Sequence, residues 1–154
     1  MQGREEQIFD FIKRIEREGR FSKSKEHYQH GMTTVYQHCI HVAVISCVIA
    51  EKCGLHVNYD DLIRGALLHD YFLYDWHDKD KSHRLHGFRH PGKALKNAEE
   101  DFQLTVTERD IIKHHMFPLN PIPPHTLEAW VVCLADKVCA IKEMTGETQE
   151  KIKI

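Results

Sequence analysis

Apolar residues recur along this chain at helical spacing, and no stretch of any length alternates apolar and polar residues as a half-buried strand does. The first helical stretch places Ile8, Phe11, Ile12 and Ile15 on one face. At 154 residues the chain is long enough to bury the core that such faces require. We therefore predict a single all-α domain over residues 1–154, folded as a compact bundle of five to seven helices.

Capping residues and glycines indicate where the helices begin and end. Ser, Thr, Asp and Asn favour the position before a helix, and glycine favours the position after it. The polar residues 21–31 are predicted to form a loop. The predicted caps and stops are Thr33 or Thr34 with Gly54 for the second helix, Asn58 for the third, Pro91 in the first turn of the fourth, Thr107 for the fifth, and Thr126 with Gly146 for the last.

Charge and hydropathy exclude several classes of partner. The formal net charge of −2 gives no general attraction to nucleic acid or to an anionic membrane. The chain has no run of about 20 apolar residues that would span a membrane, and the charged residues 1–6 do not resemble a signal peptide. We expect a cytoplasmic protein without a membrane or nucleic-acid partner. The five cysteines are typical of buried side chains in a reducing compartment.

A polar pair, His69-Asp70, ends the apolar helical run at residues 62–68. Burying an imidazole and a carboxylate is costly unless both groups find partners. A divalent metal ion would satisfy both, because imidazole nitrogen and carboxylate oxygen are common metal ligands. The pair therefore predicts a metal site at the end of this helix.

The chain supplies further candidate ligands at similar positions, and it contains thirteen histidines in all. Asp136 lies within an apolar helical stretch and needs a partner there, which its helical neighbour Lys137 cannot easily provide. A helical bundle can direct such side chains toward one internal point. The full candidate set comprises His38, His69, Asp70, His90, His114, His115 and Asp136.

The order His38, His69-Asp70, Asp136 resembles the H…HD…D signature of the HD-domain metal-dependent phosphohydrolases. The contexts are similar as well, since residues 65–70 read GALLHD and residues 38–43 read HCIHVA. The resemblance covers about residues 33–142, most of the chain.

Two further segments place the chain nearer to the small stand-alone bacterial HD proteins. These are HGFRHP at residues 86–91 and HMFPL at residues 115–119. No Gly-Tyr-Pro follows His114-His115, which argues against a cyclic-di-GMP phosphodiesterase of the HD-GYP type. The family's common Ile-Gly after the HD pair is replaced here by Tyr71-Phe72.

The resemblance implies a metal-dependent hydrolase that cleaves a small phosphate ester or a nucleotide. Asp70 and His69 would be the central catalytic residues, and Asp70 would bridge to a second ion held by His90 and His115, with or without His114. One or two divalent ions are expected, and mixed ligands suit Fe, Mn, Zn, Ni or Co. Three cations close to the ligands in sequence are candidates for binding the phosphate, namely Arg89, Lys93 and Lys137.

Two other functions are compatible with the same ligands. Some HD proteins with additional histidines perform oxidative cleavage, so a di-iron oxygenase is one alternative. A non-catalytic module that senses a metal or a ligand is the other. The presence of the whole candidate ligand set favours an enzyme, because a binding module does not need every position that activates water.

Overall fold

The computed structural model describes residues 2–72 and 86–146. Within these ranges the chain forms helices and one small antiparallel hairpin, which confirms the predicted compact all-α bundle of five to seven helices. The helices are α1 (Gln2–Glu18), a 3-10 helix (Phe21–Glu26), α2 (Val35–Lys52), α3 (Tyr59–Leu68), α4 (His86–Asp101), α5 (Val106–His114) and α6 (Leu127–Thr145). The hairpin strands are β1 (Tyr28–His30) and β2 (Thr33–Thr34).

Most of the predicted helix ends are confirmed, and each has a local physical cause. Thr34 caps α2 in a reciprocal capping box with Gln37. Asn58 accepts hydrogen bonds from two backbone N–H groups of the first turn of α3. Thr126 caps α6, and Gly146 ends that helix with a φ of 77°, a conformation that glycine adopts without steric cost.

Three local predictions, two helix starts and one loop, are wrong. Helix α5 is capped by Thr105 and not by Thr107, because the Glu108 side chain is long enough to accept a hydrogen bond from the Thr105 N–H. Helix α4 begins at His86, so Pro91 lies inside the helix and not in its first turn, and its missing N–H leaves one backbone carbonyl without a helical partner. The predicted loop at residues 21–31 instead contains the 3-10 helix and β1.

Helix α2 lies at the centre of the bundle, in contact with α1, α3 and α6. Helix α5 packs against α3, α4 and α6. The buried core lies between these helices and includes Val42, Leu67 and Ile112, none of which has measurable exposure. None of the helices in the described ranges is long and apolar enough to cross a membrane.

Gly65 allows α3 and α5 to approach closely. A Cβ atom at this position would overlap Cδ1 of Ile111 on α5, so a larger residue would require the Ile111 side chain or the two helices to shift. Their C-terminal ends carry His69 and His115, which are the residues that immediately follow α3 and α5. The small residue in the middle of α3 therefore helps to bring these two histidines together.

Candidate metal centre

Six of the seven predicted ligands meet in the interior of the bundle, and each comes from a helix or its end. His38 lies on α2, His90 on α4 and Asp136 on α6, whereas His69, Asp70 and His115 follow the last turns of α3 and α5. All six side chains are buried. Because helix ends and helix faces from five elements converge here, the site depends on the packing of the whole bundle.

The first group of ligand atoms comes from His38, His69, Asp70 and Asp136. Oδ1 of Asp136 lies 2.9 Å from Nε2 of His38 and 3.5 Å from Nε2 of His69. Oδ2 of Asp70 lies 3.7 Å and 3.3 Å from the same two nitrogens. Four ligands placed about 2.1 Å from a tetrahedral ion would lie about 3.4 Å apart, so these separations fit one ion.

The second group comes from Asp70, His90 and His115. The other Asp70 oxygen, Oδ1, lies 3.1 Å from Nε2 of His90 and 3.2 Å from Nε2 of His115. The two histidine nitrogens are 2.8 Å apart. The carboxylate of Asp70 thus presents one oxygen to each group.

Hydrogen bonds on the far side of three rings direct their Nε2 atoms into the site. Nδ1 of His69 donates to the carbonyl of Ala66 at 2.6 Å, and Nδ1 of His115 donates to the carbonyl of Ile112 at 2.8 Å. Nδ1 of His38 lies 2.9 Å from Glu143 Oε2. A histidine whose Nδ1–H is donated outward keeps its Nε2 lone pair for a metal.

Two buried atoms at the centre of the site, Nε2 of His69 and Oδ1 of Asp70, make no hydrogen bond to any residue that the structure describes. Buried polar atoms usually have a partner, because an unsatisfied group loses its hydration without compensation. A lone pair on His69 that faces two carboxylate oxygens is unfavourable unless a cation lies between them. The donor set and its unsatisfied atoms therefore fit a divalent metal ion.

The electrostatics of the site favour positive charge. Burial lowers the pKa of His38, but hydrogen bonds to Asp136 and Glu143 outweigh it and raise that pKa to about 10. Burial likewise opposes ionisation of Asp70, yet the surrounding histidines hold its pKa well below the usual range. Burial lowers the pKa of His115, which keeps its imidazole in the neutral form that binds metals.

A cavity of about 340 Å³ lies beside the two ligand groups. Asp70, His90 and Asp136 form part of its lining, so both groups border it. Apolar residues also line the cavity, namely Met116, Pro118 and Leu119 of the segment that follows α5 and Ala140 of α6. The cavity can hold a small organic molecule with one polar end at the ligands.

Of the three predicted phosphate-binding cations, the structure brings Lys137 to this cavity. Its Nζ donates to the backbone carbonyl of His115 at 3.2 Å and also contacts Cys133, which holds the ammonium near the second ligand group. Arg89 is exposed on α4 and Lys93 is half-buried there. Neither is among the described residues that line the cavity.

The structure does not bring His114 together with the other predicted ligands. Its Nδ1 donates to Oδ1 of Asp110 at 2.6 Å, one helical turn earlier on α5, and its ring contacts that of His125. Asp110 also accepts hydrogen bonds from the backbone N–H groups of His125 and Thr126. His114 therefore belongs to a group that fastens the start of α6 to α5.

Sequence reasoning missed two described residues whose side chains hydrogen-bond to the candidate ligands. Glu143 has no exposed side-chain surface and lies two helical turns after Asp136, so its spacing along α6 was an available signal. Gln29 lies on β1 and donates from Nε2 to Oδ2 of Asp70 at 2.8 Å. No pattern marked Gln29, because the segment around it lacks helical periodicity and was predicted to be a loop.

Comparison with known proteins identifies the family of the chain. The model of one family, described as the HD domain, matches residues 35–141. No curated protein and no solved structure matches the chain. The matched range contains all six residues that converge in the interior.

Proposed function

This chain belongs to the HD-domain family, and on that basis we propose that it is a metal-dependent phosphohydrolase acting on a small phosphate ester or a nucleotide. HD domains are mostly metal-dependent phosphohydrolases and bind divalent metals. The observation that carries the proposal is the position of Asp70, whose two oxygens face two separate groups of ligand atoms.

We assign one ion to the group of four ligands and a second to the group of three. Divalent ions held there would activate water as a nucleophile and neutralise charge on a phosphate oxygen. Iron, manganese, zinc, nickel and cobalt all suit ligands of this mixture. The proposed ligands are His38, His69, Asp70 and Asp136 for the first ion, and Asp70, His90 and His115 for the second.

The residues around the cavity have separate parts in the proposed reaction. Lys137 places a positive charge where the phosphate would lie, and Met116 and Leu119 provide an apolar surface for the organic part of the ester. In the hydrolysis, water oxygen bonds to phosphorus and the bond between phosphorus and the ester oxygen breaks. The products are an alcohol and inorganic phosphate.

Metal content by elemental mass spectrometry tests the assignment. The wild type should hold about two ions per chain. Asp70→Ala should lose both, whereas His115→Ala should keep the ion of the four-ligand group. Asp10→Ala is the matched control, because Asp10 is exposed on α1. Absence of metal under every loading condition would contradict the proposal and favour the non-catalytic alternative.

Turnover tests the reaction separately from metal binding. Zinc-loaded protein should hydrolyse p-nitrophenyl phosphate, and Asp70→Ala should reduce kcat to background. Since zinc has no redox chemistry, such turnover would also argue against the oxygenase alternative. Full metal-dependent activity in Asp70→Ala would refute the mechanism.

A further inference from the structure

Gln29 holds the carboxylate that the two ligand groups share. Its side chain is buried at 7% exposure, and it reaches the site from β1, outside the helical bundle. Nε2 of Gln29 donates to Oδ2 of Asp70 at 2.8 Å. Gln29 also lines the cavity, as do Asp70 and Asp136.

The orientation of the Gln29 amide follows from the chemistry of its partner. A carboxylate only accepts hydrogen bonds, so the NH₂ group must face Asp70 and the carbonyl oxygen must face away from it. That oxygen, Oε1, is buried and makes no hydrogen bond to any described residue. A buried acceptor without a hydrogen-bond donor lowers the stability of the fold, because it has lost its hydration.

We infer that Gln29 is a positioning residue of the metal centre, with one role for each end of its amide. The NH₂ group fixes the rotation of the Asp70 carboxylate, so that one oxygen faces each ligand group. Oε1 accepts a hydrogen bond from the attacking water and orients it toward the cavity. The second role rests on the proposed hydrolysis, whereas the first needs only metal binding.

Metal affinity measured by calorimetry with Zn²⁺ tests the first role. Gln29→Met keeps the length of the side chain but removes both hydrogen-bonding groups. We expect its affinity for Zn²⁺ to fall by about 10- to 100-fold, the usual cost of removing a group that orients a ligand. Gln103→Met is the matched control, because the Gln103 side chain is exposed and should leave the affinity unchanged.

A second variant keeps the test valid if Gln29→Met does not fold. Gln29→Asn retains the amide but is one methylene shorter, so its NH₂ group no longer reaches Asp70, and we expect a similar loss of affinity. Thermal unfolding identifies whichever variant remains folded. Wild-type Zn²⁺ affinity in a folded Gln29→Met or Gln29→Asn protein would overturn the inference.

Steady-state kinetics on p-nitrophenyl phosphate at saturating Zn²⁺ test the second role. A residue that orients water affects the chemical step, so Gln29→Met should lower kcat at least 10-fold while KM changes by less than about twofold. A higher KM with unchanged kcat would assign Gln29 to substrate binding and contradict this role. If the wild type binds Zn²⁺ but has no turnover, the proposed function fails, and calorimetry still decides the first role.

Discussion

His38 and Glu143 form a buried pair in which Nδ1 of the imidazole lies 2.9 Å from Oε2 of the carboxylate. The other ring nitrogen, Nε2, lies 2.9 Å from Oδ1 of Asp136. The second Glu143 oxygen lies 3.1 Å from Nδ1 of His41. One carboxylate thus contacts the ring of a proposed metal ligand and also a second histidine on the next turn of α2.

Replacing Glu143 with glutamine should weaken metal binding without removing a ligand. The amide retains one acceptor but presents an NH₂ group to one of the two histidines, so either His38 loses its acceptor or His41 no longer anchors the residue-143 side chain. We expect an affinity loss of about 10-fold or more, measured by calorimetric titration with Zn²⁺. The same substitution at the exposed Glu18 is the control. Unchanged affinity in Glu143→Gln would show that metal binding does not require the carboxylate beside His38.

The sequence predicted which residues converge in the interior better than it predicted their surroundings, for a physical reason. His69, Asp70 and Asp136 stand out because a charged or imidazole group in an apolar helical run needs a partner. Residues that orient those ligands carry no such signal. Glu143 lies near a helix end where charged residues are ordinary, and Gln29 lies in a segment without periodicity.

His114 is the opposite case, because the sequence predicted it as a ligand and the structure does not bring it to the other candidates. Adjacent residues at a helix end point about 100° apart, so His114 and His115 cannot both face the same interior point. Sequence alone does not decide which of the two faces inward. The structure resolves the choice through Asp110, which accepts a hydrogen bond from His114.

Metal loading should stabilise the fold, because the ligands are buried and come from five elements. At a free ion concentration about 100 times Kd, binding contributes about 2.7 kcal/mol to the free energy of unfolding. For a chain of this size that corresponds to a rise in Tm of about 5–10 °C. Differential scanning calorimetry with chelator and with added Zn²⁺ measures the rise. Asp70→Ala should show little of it, and an equal rise in that variant would contradict the shared role of Asp70.

Two glycine substitutions of the same kind should have opposite effects on stability. Gly65→Ala places a methyl group against Ile111, and such overpacking usually destabilises by about 1–3 kcal/mol. The added Cβ of Gly92→Ala, inside α4, meets no side chain of the described residues within 4 Å, so improved helix propensity should stabilise by about 0.5–1 kcal/mol. Urea unfolding of both variants gives the comparison. A stable Gly65→Ala protein would mean that α3 and α5 can separate at little cost.

Acid should weaken the junction between α5 and α6 through Asp110. Burial raises the pKa of its carboxyl, but hydrogen bonds from His114, Thr126 and His125 outweigh it and hold that pKa below the usual value. A lowered carboxyl pKa adds stability above about pH 4, the unfolded value, and that contribution is lost as the pH falls through the folded value. Asp110→Asn should therefore be less stable at neutral pH and lose less stability in acid.

The free energy of unfolding, measured between pH 7 and pH 3, checks this dependence. The contribution of Asp110 should appear as the difference between the wild type and Asp110→Asn, and that difference should shrink toward pH 3. Asp10→Asn is the control, because Asp10 is exposed and should leave the profile unchanged. A constant difference at every pH would mean that Asp110 acts through packing and not through its charge.

Lys137 should affect binding of the phosphate more than it affects metal binding. Its ammonium lies at the cavity and donates to the carbonyl of His115, yet it is not one of the proposed ligands. Lys137→Met retains the length of the side chain and its apolar stem, so we expect the ion content to stay at the wild-type value. KM for p-nitrophenyl phosphate should rise about 10-fold, as expected when one charge-assisted hydrogen bond is lost. Lys142→Met, five residues later on the exposed part of α6, should leave KM unchanged. If Lys137→Met lost metal but kept its KM, the lysine would instead support the second ligand group through the backbone of His115.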